Sequence, residues 1–485
     1  MQQITEQQYL QWLARLLPFL LPELLLVLTA VLIIFCSFWK KINGAVFFIT
    51  LAGIIAHVAV LILSLSNVGY YERADDFLVF DLFSGYFKIL VSVAAILTVV
   101  MSGRQKKMEY YFLLLTILLG ADLLMASHHY IMILLSIEMM SIPSYILVAG
   151  LGPDKARAEA GWKFFLFGSV ATAIMIFGMT YLFGATGVSF LESQSFTYAA
   201  QTHPTMFVVG GLMTLAGLFF KMTVAPFHLW APDVYESVPS PIAAFLSVVP
   251  KLAGLFMVAK LLFTMNNEAQ QLIDWSAVVA GFAMLSIIVG TLGAIGQTNA
   301  RRMMAYSTIA HAGFLLTILA TQVSSDPRPV ELAIFYSIVF LTMNYATFMV
   351  IQVREERGGS VLYQDFGGMG YTAPISAVAI TIAMVSLTGL PPVGGFMAKL
   401  LVFTELWKKM TAVKNPVFLA LLVIGLLSTV ASLFFYLKIP FYMYFRRSER
   451  TEPIKIPLLT NLLLLFLVAL LLAQFIVPRV FELGY

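Results

Sequence analysis

Fourteen apolar stretches, most of them about twenty residues long, follow one another from end to end of this 485-residue chain. They read at 19–38, 44–65, 80–101, 109–127, 128–150, 160–185, 206–236, 241–264, 273–296, 303–322, 330–353, 373–408, 417–445 and 456–476. Inside a bilayer every backbone amide and carbonyl needs an internal partner, so such stretches can fold only as membrane-crossing helices or as a closed barrel. A barrel would show short segments alternating between apolar and polar residues, which this chain lacks. The expected fold is therefore all-α, a polytopic membrane protein of about fourteen transmembrane helices. With 60% hydrophobic and 11% charged residues, no large soluble domain fits in what remains.

Two of the stretches are broken. The seventh carries Lys221, then Pro226 and His228, and the twelfth runs through Gly389, Pro391, Pro392, Gly394 and Gly395 to Lys399. Proline removes a backbone donor and clashes with the preceding turn, so each helix must kink or separate, and the freed groups need partners inside the protein. The seventh stretch is fourth in a group of five, and the twelfth is fourth in the next five. Because five is odd, the second group would lie inverted relative to the first. Paired interruptions at matching places point to an inverted-repeat transporter and to its ion pathway. The expected division is 1–108 for the first three helices, 109–264 and 273–445 for two inverted five-helix repeats, and 456–485 for the last helix.

Sidedness follows from the basic residues. With the N-terminus outside, sixteen of the 29 lysines and arginines fall in connections on the inner face, eight on the outer face and five within spans. The bias predicts both termini on the outer side of the membrane. The N-terminus opens with Gln2, Gln3, Glu6, Gln7 and Gln8 and has no basic leader, so no cleaved signal peptide is expected.

Five ionisable residues fall near the centres of their spans: Glu138, Lys221, Lys251, His311 and Lys399. Charges at that depth are costly and mark ion pathways by default; the plainer reading of each is a local ion pair or a hydrogen-bonded core residue. Removal from water disfavours the ionised forms of lysine and carboxyl alike, and pairing restores them, so a lysine whose acidic partner approaches and retreats gains and loses its hold on a proton. Glu138 is the expected partner of Lys221, with Lys251, His311 and Lys399 as a relay beyond. His228 reads as a partner for the carbonyls freed at the first break. Lys88 and Lys438 read as structural residues reaching toward span ends, and the surroundings of Asp122 are left open between a wet cavity and a helix end.

Other chemistries fare poorly. Cys36 is the only cysteine, so this chain offers neither a disulfide nor a cysteine-held cluster. The six histidines lack facing pairs at two depths, as a bis-haem protein would need. With no strands expected, no phosphate-cradling loop follows one. The net charge of +4 belongs to loops and does not read as a nucleic-acid surface. The chain is expected to bind no cofactor and no metal and to hold no catalytic residue of its own, any driving reaction taking place in a partner.

The run Lys221-Met-Thr-Val-Ala-Pro226-Phe-His228-Leu-Trp230-Ala-Pro-Asp233-Val-Tyr235 resembles the signature of the antiporter-like membrane subunits of respiratory complex I, the NADH–quinone oxidoreductase. The likeness extends over essentially the whole chain, including Ser136-Ile137-Glu138-Met139, Arg301-Arg302-Met303-Met304-Ala305-Tyr306-Ser307 and Gly389-Leu390-Pro391-Pro392. It implies a proton channel built from Glu138, Lys221, Lys251 and Lys399. A lysine in the twelfth span is similar to two branches of that family better than to the third, where a glutamate would be implied, and the lack of a long lateral helix leaves the N branch. The resemblance further implies that NADH, FMN, iron–sulfur clusters and quinone are bound in partner subunits, that the partners are other membrane-arm subunits and the lipid bilayer, and that the membrane is the bacterial inner one. Where the family often has Ser-His-Leu-Gly-Tyr, this chain has Ala310-His311-Ala312-Gly313-Phe314, so no tyrosine hydroxyl is expected from that motif. The alternative is a subunit of a multi-subunit cation/proton antiporter, which shares the lysine-and-break motif.

Overall fold

The computed structural model describes residues 6–37, 43–67, 71–73, 77–104, 107–150, 154–265, 273–321, 328–358, 360–446 and 456–476. The chain ends at 1–5 and 477–485, on which the expected sidedness of the termini bears, lie outside the described residues. The chain is almost entirely helical. In order come α1 (Glu6–Ser37), α2 (Asn43–Asn67), α3 (Leu82–Ser102), α4 (Met108–Ala126), α5 (Tyr130–Ala149), α6 (Lys155–Thr186), α7 (Ser193–Thr202), α8 (Pro204–Met222), α9 (Ala231–Ser237) and α10 (Ser240–Met265). Then follow α11 (Trp275–Ile295), α12 (Ala300–Ala320), α13 (Arg328–Glu355), α14 (Met369–Thr372), α15 (Pro374–Thr388), α16 (Gly394–Val413), α17 (Pro416–Tyr436), α18 (Lys438–Phe445) and α19 (Leu458–Ile476).

Among the described residues thirteen helical segments are long and apolar enough to cross a membrane. The stretch expected at 373–408 is divided between α15 and α16, and the one at 417–445 is a single span formed by α17 and α18. Boundaries follow local chemistry. Asp154 accepts from the amides of Ala156 and Arg157 to start α6, Asn299 does the same for Arg301 and Arg302 at α12, and Asn415 caps α17 ahead of Pro416. One expectation is corrected: strands do occur. Tyr71–Arg73 (β1) pairs antiparallel with Val79–Asp81 (β2), Tyr71 opposite Asp81, in the connection between α2 and α3. Three-residue strands are too short to carry a readable alternation, and Asp81 ends the hairpin by accepting from the Ser84 amide at 2.6 Å to begin α3.

Burial sorts the helices into a centre and a rim. In α10, α12 and α13, 94% of the apolar window is buried, against 22% in α19, 28% in α1 and 33% in α2 and α6. A helix that is apolar all round and buried all round belongs at the middle of the bundle. Close approach around it uses small residues, because lipid tails give no hydrophobic drive for helices to associate. A Cβ on Gly290 of α11 would stand 2.4 Å from the Ala310 amide of α12, and one on Gly178 of α6 would stand 2.5 Å from the Thr214 amide of α8. Only glycine permits those contacts.

Candidate polar pathway at two broken helices

The first break begins in the last turn of α8. Thr223 adopts a left-handed conformation (φ 59°) and its amide returns to the Phe220 carbonyl at 3.1 Å, while the Val224 amide takes the Phe219 carbonyl at 2.9 Å. The Ala225 amide is met from outside the segment, by Ser286 Oγ of α11 at 3.0 Å. Pro226 follows, after a cis peptide bond. His228 is half-buried with its ring beside the Pro226 carbonyl; its Nδ1 has no hydrogen-bond partner among the described residues. Most of the freed backbone is thus satisfied by backbone and by Ser286.

The second break is satisfied by the candidate lysine itself. Lys399, on α16, reaches back to the carbonyls of Leu387 and Thr388 at 3.0 and 2.8 Å, the C-terminal end of α15. A cation at that end meets orphan carbonyls and the negative pole of the helix. Pro391 and Pro392 form the exposed turn between the two helices, again with a cis bond between them, and the Gly395 amide opening α16 donates to Ser386 Oγ at 3.1 Å.

Glu138 and Lys221 are not in ion-pair contact. Glu138, half-buried on α5, accepts from Thr172 of α6 at 2.8 Å. Lys221 is buried and donates to Ser141 Oγ, three residues beyond Glu138 on the same helix face. Its ammonium also lies 5.6 and 5.8 Å from the ring centres of Phe220 and Tyr145, within cation–π range. In this arrangement one turn of α5 separates the Glu138 carboxylate from the hydroxyl that holds the lysine.

Lys251 is fully buried on α10 and donates to the Tyr235 hydroxyl of α9 at 3.0 Å. Thr308 of α12, which donates to the Ala305 carbonyl at 2.8 Å, lies near the Tyr235 hydroxyl. One turn along α12, His311 is buried between two hydroxyls: Nδ1 lies 2.7 Å from Tyr336 of α13 and Nε2 3.4 Å from Tyr436 of α17, which itself meets Ser307 at 2.5 Å. Phenolic hydroxyls therefore stand at the histidine although residue 314 is a phenylalanine, whose ring instead lies 4.9 Å from the Lys399 ammonium. The helices bearing these groups pack in sequence, α5 and α8 on α10, α10 on α12, α12 on α16. Tyr235, Tyr336, Tyr436, Ser141 and Thr172 were missed as contacts because nothing in the sequence relates positions so far apart; a polar residue at mid-span was the one available signal.

α9 is held from its other side. Asp233 accepts from Lys163 of α6 at 3.1 Å and from Arg302 of α12 at 2.9 Å, Glu236 from Arg302 at 2.7 Å and from Asn299 at 3.3 Å. Arg301 adds the Val238 carbonyl at 2.5 Å and Glu355 at 3.2 Å. Single exposed ion pairs contribute little, but shared ones fix geometry. Here they fix the short helix that carries Tyr235. Of the remaining lysines, Lys88 is buried against Glu23 instead of extending toward a span end, and Lys438 donates to the Ile295 carbonyl at 2.7 Å.

Membrane-length helices around two interrupted ones, with ionisable side chains buried on successive packed helices, define a polytopic α-helical membrane protein. Residues 127–428 match the family described as NADH:quinone oxidoreductase/Mrp antiporter, transmembrane region, and the chain belongs to that family. It is 38% identical over 349 residues to NADH-quinone oxidoreductase subunit N 2 of Chloroherpeton thalassium, covering 70% of this chain and 66% of that one. To the protein of the same name from Sorangium cellulosum it is 35% identical over 467 residues, covering 90% of each. Among solved structures it superposes on a chain of respiratory complex I from Thermus thermophilus with bound aureothin, with a TM-score of 0.80 and 27% identity over 94% of this chain and 97% of that one.

Proposed function

We propose that this chain is a proton-translocating membrane-arm subunit of an NADH–quinone oxidoreductase, seated in a bacterial inner membrane with both termini outside. The observation that carries the reading is the succession of buried cations on packed helices, Lys221, Lys251 and Lys399, each with its ammonium on a neutral acceptor instead of a counter-charge. A cation held by dipoles can release and regain its proton without breaking an ion pair. Relatives named as subunit N, aligned over most of their length, direct the reading to this complex.

In this mechanism the proton passes from Lys221 to Lys251, to His311 and to Lys399. Tyr235 and Thr308 bridge the second step, and Tyr336 and Tyr436 orient the imidazole. Glu138, beside Lys221 on the facing helix, senses the charge state of the neighbouring subunit; its approach favours the protonated lysine and its retreat the neutral one. Pro226, His228, Pro391 and Pro392 keep the two helices open where the lysines sit. The redox chemistry lies elsewhere: NADH, FMN, iron–sulfur clusters and quinone are held by partner subunits, and a chain with one cysteine cannot hold such a cluster by thiolates alone.

The test records NADH-driven quinone reduction and proton uptake together in inverted vesicles carrying wild-type chain or Lys221→Ala, with assembly confirmed. Both should fall in the variant. If both stay at the wild-type level, the reading is wrong, and a sodium- or potassium-driven proton flux in the same vesicles would assign the chain to the Mrp side of its family.

A further inference from the structure

A second set of buried ionisable groups lies outside the pathway, in the first four helices. Glu23 of α1, His57 of α2, Lys88 of α3 and Asp122 of α4 are 4%, 0%, 2% and 0% exposed. Lys88 Nζ meets Glu23 Oε1 at 2.5 Å, and His57 Nε2 meets Asp122 Oδ2 at 2.9 Å. The two pairs are close enough that the charges of Glu23 and Lys88 act on Asp122, and that of Glu23 on His57.

The hydrogen-bond directions decide the proton count. His57 Nδ1 lies 2.9 Å from the Pro22 carbonyl, which can only accept, so the ring must carry a proton on Nδ1. A neutral imidazole would then turn a bare Nε2 lone pair onto a carboxylate oxygen at 2.9 Å, two acceptors in contact. One further proton must therefore be held by the pair, on Nε2 or on the carboxyl group. Charge agrees with geometry: Lys88 and Glu23 cancel, and an ionised Asp122 beside a neutral His57 would leave one negative charge buried among four helices, which a single proton neutralises. The contact is short yet poorly aligned, and Glu23 Oε2 and both Asp122 oxygens have no hydrogen bond among the described residues. Buried acceptors in that condition favour a bound proton.

We infer that the His57–Asp122 pair is a buried single-proton site, with the Lys88–Glu23 ion pair as its fixed counter-charge. Lys260 on α10, nine residues beyond Lys251, donates to the Ser127 carbonyl at the end of α4 at 2.7 Å. The inference does not depend on which complex the chain serves.

The experiment uses the full chain in lipid nanodiscs, with isotope-labelled histidine, and records infrared difference spectra across a pH titration. A label-sensitive imidazole band and a carboxyl band should titrate together with one midpoint, and Asp122→Asn or His57→Gln should abolish both. Glu23→Gln removes a neighbouring negative charge, so the midpoint should move to lower pH. Bands of equal amplitude in wild type and Asp122→Asn would overturn the assignment. Should the neutral variants fail to fold, Asp122→Glu keeps the acid: a displaced carboxyl band supports the site, and an unaltered spectrum sinks it.

Discussion

Lys251 and Tyr235 are joined by a 3.0 Å hydrogen bond that ties the short helix after the first break to one of the three most buried helices of the bundle. Tyr235→Phe keeps the ring and removes the acceptor, leaving the Lys251 ammonium without its partner. Losing a hydrogen bond to a buried charge costs about 1.5–3 kcal/mol. Proton uptake in vesicles should fall roughly tenfold, the equivalent of ~1.4 kcal/mol at the transfer step. Wild-type uptake in an assembled Tyr235→Phe complex would remove Tyr235 from the path.

Ser141 holds the Lys221 ammonium one turn away from Glu138. Ser141→Ala should free the lysine to approach Glu138 and form the direct ion pair absent here. Such a pair would trap the proton, so uptake should drop several-fold while the complex still assembles. Double substitution with Glu138→Gln should then cost less than the sum of the two single changes, because the trap has lost its anion. Additive losses would show that Ser141 acts by some other contact.

Asp233 acts at a distance from the lysines, by fastening α9 to Lys163 and Arg302. Asp233→Asn keeps the shape and removes the charge, so coupled turnover should fall in proportion to the loosening of Tyr235. Higher ionic strength should reproduce part of the defect in the wild type, since these groups are partly exposed and screening reaches them. A variant indifferent to the substitution and to salt alike would leave α9 held by packing alone.

A Cβ on Gly395 would stand 1.8 Å from the Ser386 carbonyl oxygen, where the two halves of the second broken helix meet. Gly395→Ala must therefore push α15 and α16 apart, and overpacking of this kind costs about 1–3 kcal/mol. The expected result is a lower thermal midpoint together with loss of the Lys399 contact to the end of α15. An unchanged midpoint would mean that the break relaxes freely.

Much of the architecture was legible from residue order. Apolar length alone marked every span, and proline marked both interruptions, with glycine beside it in the second, because a bilayer admits no other solution for the backbone. The β1–β2 hairpin was missed, since three residues cannot show a period. Glu138 was legible as a partner for Lys221, but the hydroxyls of Ser141 and Thr172 that hold the two apart were not, because hydroxyls at mid-span read as ordinary helix polarity. His57 and Asp122 have 64 residues between them, with no motif to join them.

The chain's order of residues determined by itself that this is a helical membrane protein, where its helices break and which side chains are too costly to bury without a task. Those are one-dimensional facts, settled by transfer energies and by the covalent limits of proline and glycine. Only the tertiary structure decided the partner of each buried charge: Ser141 for Lys221, Tyr235 for Lys251, two carbonyls for Lys399, and Asp122 for His57. A hydrogen bond is decided within a few tenths of an ångström and a few tens of degrees, and helix rotation and close glycine packing set those values.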